Sequence, residues 1–201
     1  MNRKLTLIVV LASLALAVTS AGMAAPLKIG DAAPDFSGIP GTDGKQHGLA
    51  DYKKAKVVVV VFTCNHCPVA VVYEDRLIAL QKAYGPKGVQ VLAVCVNDRD
   101  GDRLDDMKKR AKDKGFNFPY IYDASQKSAR EYGATCTPHA FALDKGRKIA
   151  YMGAIDDSNN PDKVKTHYLK AAIDALLAGK EPPQTTTRQR GCGIKWSKKK
   201  K

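Results

Sequence analysis

The 201-residue sequence predicts a single α/β domain in which helices flank a central mixed sheet. Two continuous apolar runs, each followed by a helical pattern, indicate parallel strands joined by crossover helices. A later pair of apolar segments around a short polar turn predicts an antiparallel hairpin that extends one edge of the sheet. Hydrophobic residues make up 44% of the chain and charged residues 26%, a composition that argues against a disordered protein.

The first two strand–helix units lie between residues 57 and 115. Residues 57–62 are an unbroken β-branched and aromatic run, which is typical of a strand buried on both faces. Residues 89–96 predict a second such strand. A helix with Asp102 as its N-cap follows and ends at Gly115. The helix between the two strands has an apolar face made of Val69, Val72, Tyr73, Leu77, Leu80 and Tyr84.

The second half of the domain adds shorter elements. An extended piece at 120–122 precedes a short helix between residues 125 and 133. Strands at 140–143 and 148–152 surround a turn and form the predicted hairpin. Asn160-Pro161 opens a last helix, because proline is favoured at the first helical position, and Gly179 closes it. Its inner face is predicted to contain Val164, Tyr168, Ala171, Ala172 and Ala175.

The amino-terminal segment has the pattern of a secretory signal peptide. Arg3 and Lys4 precede an apolar run over 5–18, and small residues follow up to Ala25. The run is shorter than the roughly 20 residues of a membrane span, so we expect no stable membrane insertion. We place the signal peptide at 1–24, the folded domain at 25–179 and a flexible basic tail at 180–201. An exported protein, periplasmic or secreted, is therefore expected.

The formal net charge is +13, from 33 basic and 20 acidic residues. Basic proteins often bind nucleic acid or anionic surfaces. Here, however, five of the last seven residues are lysine, so much of the charge lies in the tail. Since an exported protein rarely meets nucleic acid, we expect a solvated tail and no nucleic-acid partner.

The strongest chemical signal is the segment Cys64-Asn65-His66-Cys67-Pro68, where a buried strand passes into a helix. Cysteines at this spacing can form a disulfide, and a helix N-terminus stabilises a thiolate. We expect Cys64, near the N-cap, to be the nucleophile and Cys67 to be the resolving thiol. His66 would lower the pKa of Cys64 by adding positive charge. The alternative for this motif is an inert structural disulfide.

Three motifs together resemble the thioredoxin-fold redoxins, over residues 29–179. They are Gly30-Asp31-Ala32-Ala33-Pro34-Asp35-Phe36, the Cys64-x-x-Cys67-Pro68 site, and Thr137-Pro138 before a hairpin. Within the alkyl hydroperoxide reductase/thiol-specific antioxidant superfamily, the chain is most similar to a peroxiredoxin-like branch with a late Gly-Cys-x-Ile-Lys-Trp segment, here 191–196. The resemblance implies a thioredoxin-like fold and a cis Thr137–Pro138 bond facing the dithiol. It also implies that Cys136 lies close to Cys64 and that substrate binds at Thr137, Pro138 and His139.

These features predict a thiol–disulfide oxidoreductase whose redox-active disulfide requires no other cofactor. Its partners would be protein or small-molecule thiols and disulfides, including a partner protein that reduces or oxidises it. A thiol peroxidase is an alternative, although a Pro-x-x-x-Thr-x-x-Cys pattern fits neither Cys64 nor Cys67. A copper- or zinc-binding protein is another, with ligands drawn from Cys64, His66, Cys67 and His139. The ligand set is incomplete for zinc, so we assign no metal site.

Five cysteines are an odd number, so at least one is unpaired within the chain. Cys95 lies in an apolar run and is expected to be a core residue. Cys136 and Cys192 are candidate auxiliary redox thiols, and a mobile tail could bring Cys192 into disulfide exchange with Cys64 or Cys136. Glu74 is a weak candidate for the proton acceptor of Cys67, because Val58 occupies the position of the buried acid of thioredoxins.

Overall fold

The computed structural model describes residues 26–198, so the predicted signal peptide at 1–24 lies outside the described residues. The strands are β1 (Ile39–Pro40), β2 (Gln46–His47), β3 (Val57–Phe62), β4 (Val89–Cys95), β5 (Tyr120–Tyr122), β6 (Cys136–Thr137), β7 (His139–Leu143), β8 (Ile149–Gly153) and β9 (Cys192–Gly193). The centre of the domain is a five-stranded mixed sheet in the order β5-β4-β3-β7-β8. Strands β3, β4 and β5 are parallel, and β7 pairs antiparallel with both β3 and β8. The predicted α/β class and edge hairpin are therefore confirmed.

Strand β3 explains why the core lies on both sides of the sheet. Every residue of β3 is fully buried, as the apolar run predicted. Because alternate side chains of a strand point to opposite faces, its residues divide between two hydrophobic clusters. Val57, Val59 and Val61 belong to one cluster, and Val58, Val60 and Phe62 to the other. The carboxyl end of β3 is thereby fixed between two packed layers, directly before Cys64.

The helices flank this sheet, and two of them differ from the predicted elements. They are α1 (Pro68–Val71), α2 (Glu74–Tyr84), α3 (Leu104–Lys114), α4 (Lys127–Glu131) and α5 (Tyr168–Leu177). The single helix predicted over 69–84 is divided, because the Tyr73 N–H bonds the Ala70 carbonyl only three residues back. In consequence Val72, predicted to face inward, is 44% exposed. Within residues 26–198 no helix is both long and apolar enough to cross a membrane.

The last helix also begins later than predicted. Asn160 caps only a short 3-10 helix, Pro161–Lys163, by accepting a bond from the Asp162 N–H at 2.9 Å. The backbone is extended at Val164, so Val164 lies outside α5. The buried face of α5 is formed by Leu169, Ala172 and Ile173.

The segment predicted as a flexible tail is bonded to the domain over much of its length. Thr185 and Thr187 exchange backbone hydrogen bonds with Met152 at 3.0 and 3.1 Å. Strand β9 pairs with β6, and Ile194 is buried in the second cluster. Backbone pairing and burial of Ile194 thus place residues 185–197 against the domain, where the sequence predicted a flexible tail.

Leu77→Ala should destabilise the protein, whereas Val72→Ala should not, although the sequence places both on one helix face. Leu77 is 2% exposed, and truncating a buried leucine costs about 2–5 kcal/mol. Substitutions at exposed positions such as Val72 usually stay within about 0.5 kcal/mol. Urea denaturation of the two variants would measure the difference in the free energy of unfolding. Equal losses would contradict the division between α1 and α2.

Candidate active site at the cysteine pair

Cys64 and Cys67 flank the turn between β3 and α1. Both are buried, with exposures of 2% and 0%. Helix α1 begins at Pro68, so its N-cap residue is Cys67. The sequence had placed Cys64 near the N-cap, and Cys64 lies three residues before it. The proline at the first helical position fixes this start. All five cysteines are thiols in this structure.

Thr137 contacts both sulfurs of the pair. Its hydroxyl lies 3.1 Å from Cys64 Sγ, and its carbonyl accepts a hydrogen bond from Cys67 Sγ at 3.2 Å. The Thr137–Pro138 bond is cis, as the resemblance implied. Residues more than 70 positions apart in the chain are thus brought together because β6 leads into β7, which pairs with β3.

The two thiols of the pair also share a hydrogen bond. This bond, in which Cys64 donates, lowers the pKa of Cys67 to about 4. A second hydrogen bond, from Cys192, also lowers this pKa, whereas burial raises it. The bond to Cys67 and burial raise the pKa of Cys64. When Cys67 instead carries the proton, it donates a hydrogen bond to the Thr137 carbonyl, and the Thr137 hydroxyl can donate one to Cys64. Either sulfur can therefore hold the charge with a hydrogen-bond partner.

Asp102 supports the loop between the two cysteines. Its Oδ1 accepts the backbone N–H groups of Asn65 and His66 at 2.8 and 3.0 Å. Its Oδ2 accepts from Asn97 Nδ2 at 2.9 Å and is bonded to His66 Nδ1. The predicted N-cap role of Asp102 is wrong, because Arg103 is the N-cap of α3 and the Asp102 side chain is fully buried beneath the loop.

Sequence reasoning missed Asp102 as a residue of the site. The only available signal was the polar stretch that ends at Asp102, directly after a predicted buried strand. In parallel sheets, residues that follow adjacent strands meet at one edge. Since β3 and β4 are parallel neighbours, the residues after them had to lie close together.

His66 is oriented by Asp102 and remains near Cys64. The donor atoms of Cys64, His66 and Asp102 lie within 4.8 Å of one another, the one such group found among residues 26–198. The carboxylate already accepts bonds from Asn65, His66 and Asn97, so a metal ion would have to displace some of them. This donor set therefore fits a resident metal poorly.

The side chain of His139, which was predicted to bind substrate and considered as a metal ligand, packs in the protein interior and not at the cysteine pair. Its side chain is buried, its ring packs 4.4 Å from the ring of Phe141, and Nδ1 has no hydrogen-bond partner. Burial lowers the pKa of His139 to about 4, so the ring is neutral at physiological pH. A substrate would reach His139 only through its backbone.

The backbone at the predicted substrate-binding position Thr137 is paired with another strand of the same chain. Strand β9 pairs with β6 so that Cys192 lies opposite Thr137 and Gly193 opposite Cys136. Pro138 follows directly. The predicted binding positions Thr137 and Pro138 are thus placed beside the dithiol, but the edge at Thr137 is covered by the tail.

The other cysteines differ in their surroundings. Cys95 is fully buried, donates to the Asp102 carbonyl at 3.4 Å and has its pKa raised to about 12 by burial, which confirms a core position. Cys136 lies 3.9 Å from the Pro138 carbonyl, and burial raises its pKa to about 11. Cys192 is the most exposed of the five and contacts Cys67.

Glu74, considered as a proton acceptor, is held in an ion pair. Its carboxylate accepts two bonds from Arg110 of α3, at 2.9 and 2.7 Å. Glu74 is 5% exposed and lies in the packed region that also contains Cys64, Leu77 and Tyr120. This region does not include Cys67, the thiol whose proton Glu74 was considered to accept.

Asp102→Asn should lower the pKa of Cys64, because the charge of Asp102 adds to the effects of the Cys67 bond and burial that raise it. The rate of Cys64 alkylation in reduced protein, followed by peptide mapping, should rise at a lower pH than in the wild type. The variant should also lose about 1–3 kcal/mol of stability, since its amide faces the Asn97 donor. Asp98→Asn, at a partly exposed position outside the loop, is the control. An unchanged alkylation profile would contradict the role of the charge.

Several solved structures are similar to this chain in sequence and fold. An uncharacterized conserved protein from Geobacillus kaustophilus is 38% identical over 85% of this chain and 93% of its own, with a TM-score of 0.80. A hypothetical protein from Sinorhizobium meliloti is 35% identical over 86% and 97% of the two chains, with a TM-score of 0.79. A protein of Chlorobium tepidum named after the thiol:disulfide interchange protein DsbE is 28% identical over 63% and 84%, with a TM-score of 0.55.

No curated protein matches the chain significantly. The Redoxin family model matches residues 28–168, which include both cysteines of the pair, Thr137 and Pro138. The fold is thioredoxin-like. The family match and the likeness to the Chlorobium tepidum protein support a redox function in general terms. The chain belongs to the redoxin family.

Proposed function

We propose that the protein is an exported thiol–disulfide oxidoreductase that exchanges disulfides through Cys64 and Cys67. The observation that carries this proposal is the contact of both sulfurs with the same residue, Thr137. Membership in the redoxin family and the likeness to a thiol:disulfide interchange protein support it. Export rests on the signal-peptide pattern at 1–24.

The exchange proceeds through a mixed disulfide at Cys64. A partner thiolate attacks Cys64 Sγ of the oxidised pair, the Cys64–Cys67 bond breaks, and Cys67 leaves as the thiolate. A second thiol of the partner, once deprotonated, then attacks the partner sulfur of the mixed disulfide. The bond to Cys64 breaks, and Cys64 leaves and takes up a proton. The partner is oxidised and the pair reduced by two electrons, and the reverse sequence reduces a partner disulfide.

The hydrogen bond from Cys192 favours the Cys67 thiolate in both directions, because, unlike the bond from Cys64, it remains when Cys64 is held in the mixed disulfide. A sulfur that is more stable as a thiolate is a better leaving group when the mixed disulfide forms. In the reverse direction, the Cys67 thiolate attacks Cys64 to resolve the mixed disulfide. Cys64 is the sulfur that a partner reaches, because it is 2% exposed and Cys67 is fully buried.

Partners would be protein or small-molecule thiols and disulfides. A small thiol has only to approach Cys64. A protein partner that adds a strand at Thr137 would first have to displace β9, because the same backbone edge cannot pair twice. We therefore expect small disulfides to react readily with the intact protein, and protein partners to react faster when the tail is undocked.

Reaction of the reduced protein with a small aromatic disulfide tests the assigned roles. In the wild type, Cys64 should form a mixed disulfide that Cys67 resolves, releasing both halves of the reagent and leaving a Cys64–Cys67 disulfide. In Cys67→Ser the adduct on Cys64 should persist, and Cys64→Ser should give no adduct at position 64 and no such disulfide.

Peptide mapping by mass spectrometry identifies each product, and Cys95→Ala serves as the control that retains the pair. A persistent adduct on Cys67 with Cys64 unmodified would reverse the two roles. If neither cysteine reacts in the folded protein, the oxidoreductase assignment is wrong. Sustained peroxide consumption that depends on Cys64 would instead favour a thiol peroxidase.

A further inference from the structure

Strand β9 holds the tail against the active site in one register. Cys192 lies opposite Thr137, and the Ile194 N–H bonds the Thr135 carbonyl at 3.1 Å. Gly191 makes this close approach possible, because a Cβ at that position would lie 2.0 Å from the Thr137 carbonyl oxygen. A side chain at Gly193, in contrast, would meet no atom within 4 Å.

The residues after β9 fasten the tail to the domain. Ile194 is 6% exposed and packs in the second hydrophobic cluster. The Lys195 N–H donates to Asn97 Oδ1 at 2.8 Å, and its carbonyl accepts from the Asp98 N–H at 2.9 Å. The guanidinium of Arg130 lies 4.3 Å from the centre of the Trp196 ring. Cys192 is therefore held at a fixed position.

That position brings a third thiol to the pair. Cys192 is the strand partner of Thr137, whose carbonyl accepts a hydrogen bond from Cys67 Sγ at 3.2 Å, and it packs against the cluster that contains Cys64 and Cys67. Cys67 interacts with both Cys64 and Cys192 and is therefore the middle sulfur of the three. Cys136, the other auxiliary candidate, contacts the Pro138 carbonyl instead. The same strand pairing that a partner strand would use thus presents a cysteine of this chain to the dithiol.

We propose that Cys192 is a third redox-active cysteine, which receives the disulfide from the Cys64–Cys67 pair. This inference rests on the proposed function of that pair. After the pair is oxidised, Cys192 loses its proton and attacks Cys67 Sγ. The Cys64–Cys67 bond breaks, a Cys67–Cys192 bond forms, and Cys64 leaves with the electron pair and takes up a proton. No net oxidation occurs, so no further reagent is needed.

The exchange has two consequences for the catalytic cycle. Cys64 is restored as a thiol and can react with another partner while the chain still carries its disulfide. The disulfide now ends at Cys192, which is the most exposed of the five cysteines, so an external thiol can attack it there. The tail thereby separates the sulfur that reacts with substrate from the sulfur that exchanges with a second partner.

The test uses Cys64→Ser, in which only Cys67 and Cys192 remain in contact. The protein is equilibrated in graded glutathione buffers, quenched by alkylation and mapped by mass spectrometry. A Cys67–Cys192 disulfide should form reversibly. Adding Gly191→Ala should abolish it by pushing the tail from Thr137, whereas adding Gly193→Ala should leave it unchanged. The wild type should show Cys64 alkylated in proportion to the Cys67–Cys192 disulfide present.

Two results would overturn the relay. If Cys192 stays alkylatable at every glutathione ratio, in both Cys64→Ser and wild type, while the Cys64–Cys67 disulfide forms, the relay is wrong and the oxidoreductase function stands. If Gly191→Ala and Gly193→Ala give the same amount of Cys67–Cys192 disulfide, docking of the tail does not direct the exchange. Absence of both the Cys64–Cys67 and the Cys67–Cys192 disulfide from the wild type at every glutathione ratio would instead overturn the proposed function itself.

Discussion

Thr137 contacts the cysteine pair with both its hydroxyl and its carbonyl, and the rest of the site is arranged around these two contacts. They exist because β7, which follows the cis Thr137–Pro138 bond, pairs antiparallel with β3, the strand that precedes Cys64. The position of the dithiol therefore depends on the register of the central sheet. Burial of β3 on both faces fixes that register, since a slip by one residue would exchange the two core clusters.

A hydrogen-bond network joins the active-site loop to the tail. Asp102 accepts bonds from the loop at Asn65 and His66, and Asn97 bonds Asp102 with its amide nitrogen. The amide oxygen of Asn97 accepts the N–H of Lys195, three residues after Cys192. Since a buried carboxylate is costly unless its oxygens are satisfied, this network has few alternative arrangements. Movement of the tail would consequently change the support of the loop.

The sequence was informative where the signal is local. The apolar runs of β3 and β4, the hairpin turn and the Cys64-x-x-Cys67 spacing each depend on neighbouring residues, and the structure has these elements. Errors arose where tertiary contacts decide the outcome. Asp102 suits a helix N-cap by type, yet three donors from the loop and from Asn97 draw it inward. Val72 matches a helical period, but the tightened turn at Tyr73 moves it to the surface.

The tail is a further case in which tertiary contacts, and not the local sequence, decide the structure. Its lysines, prolines and threonines are typical of loose segments, and composition alone could not reveal that Ile194 is buried and that Gly191 fits against the Thr137 carbonyl. Such contacts depend on the shape of a surface formed by residues far away in the chain. The sequence did indicate Cys192 as a candidate redox thiol, with Cys64 or Cys136 as its partner, whereas the structure places it next to Thr137 and Cys67.

The central claim is that Cys64 and Cys67 form a reversible redox pair. A thiol–disulfide redox titration of the wild type, with mass mapping of each cysteine and metal analysis of the same sample, tests it most directly. The account predicts a two-electron transition of the Cys64–Cys67 disulfide with a midpoint between about −100 and −300 mV. A pair that stays reduced around a stoichiometric metal ion, or a disulfide that resists reduction throughout that range, would contradict it.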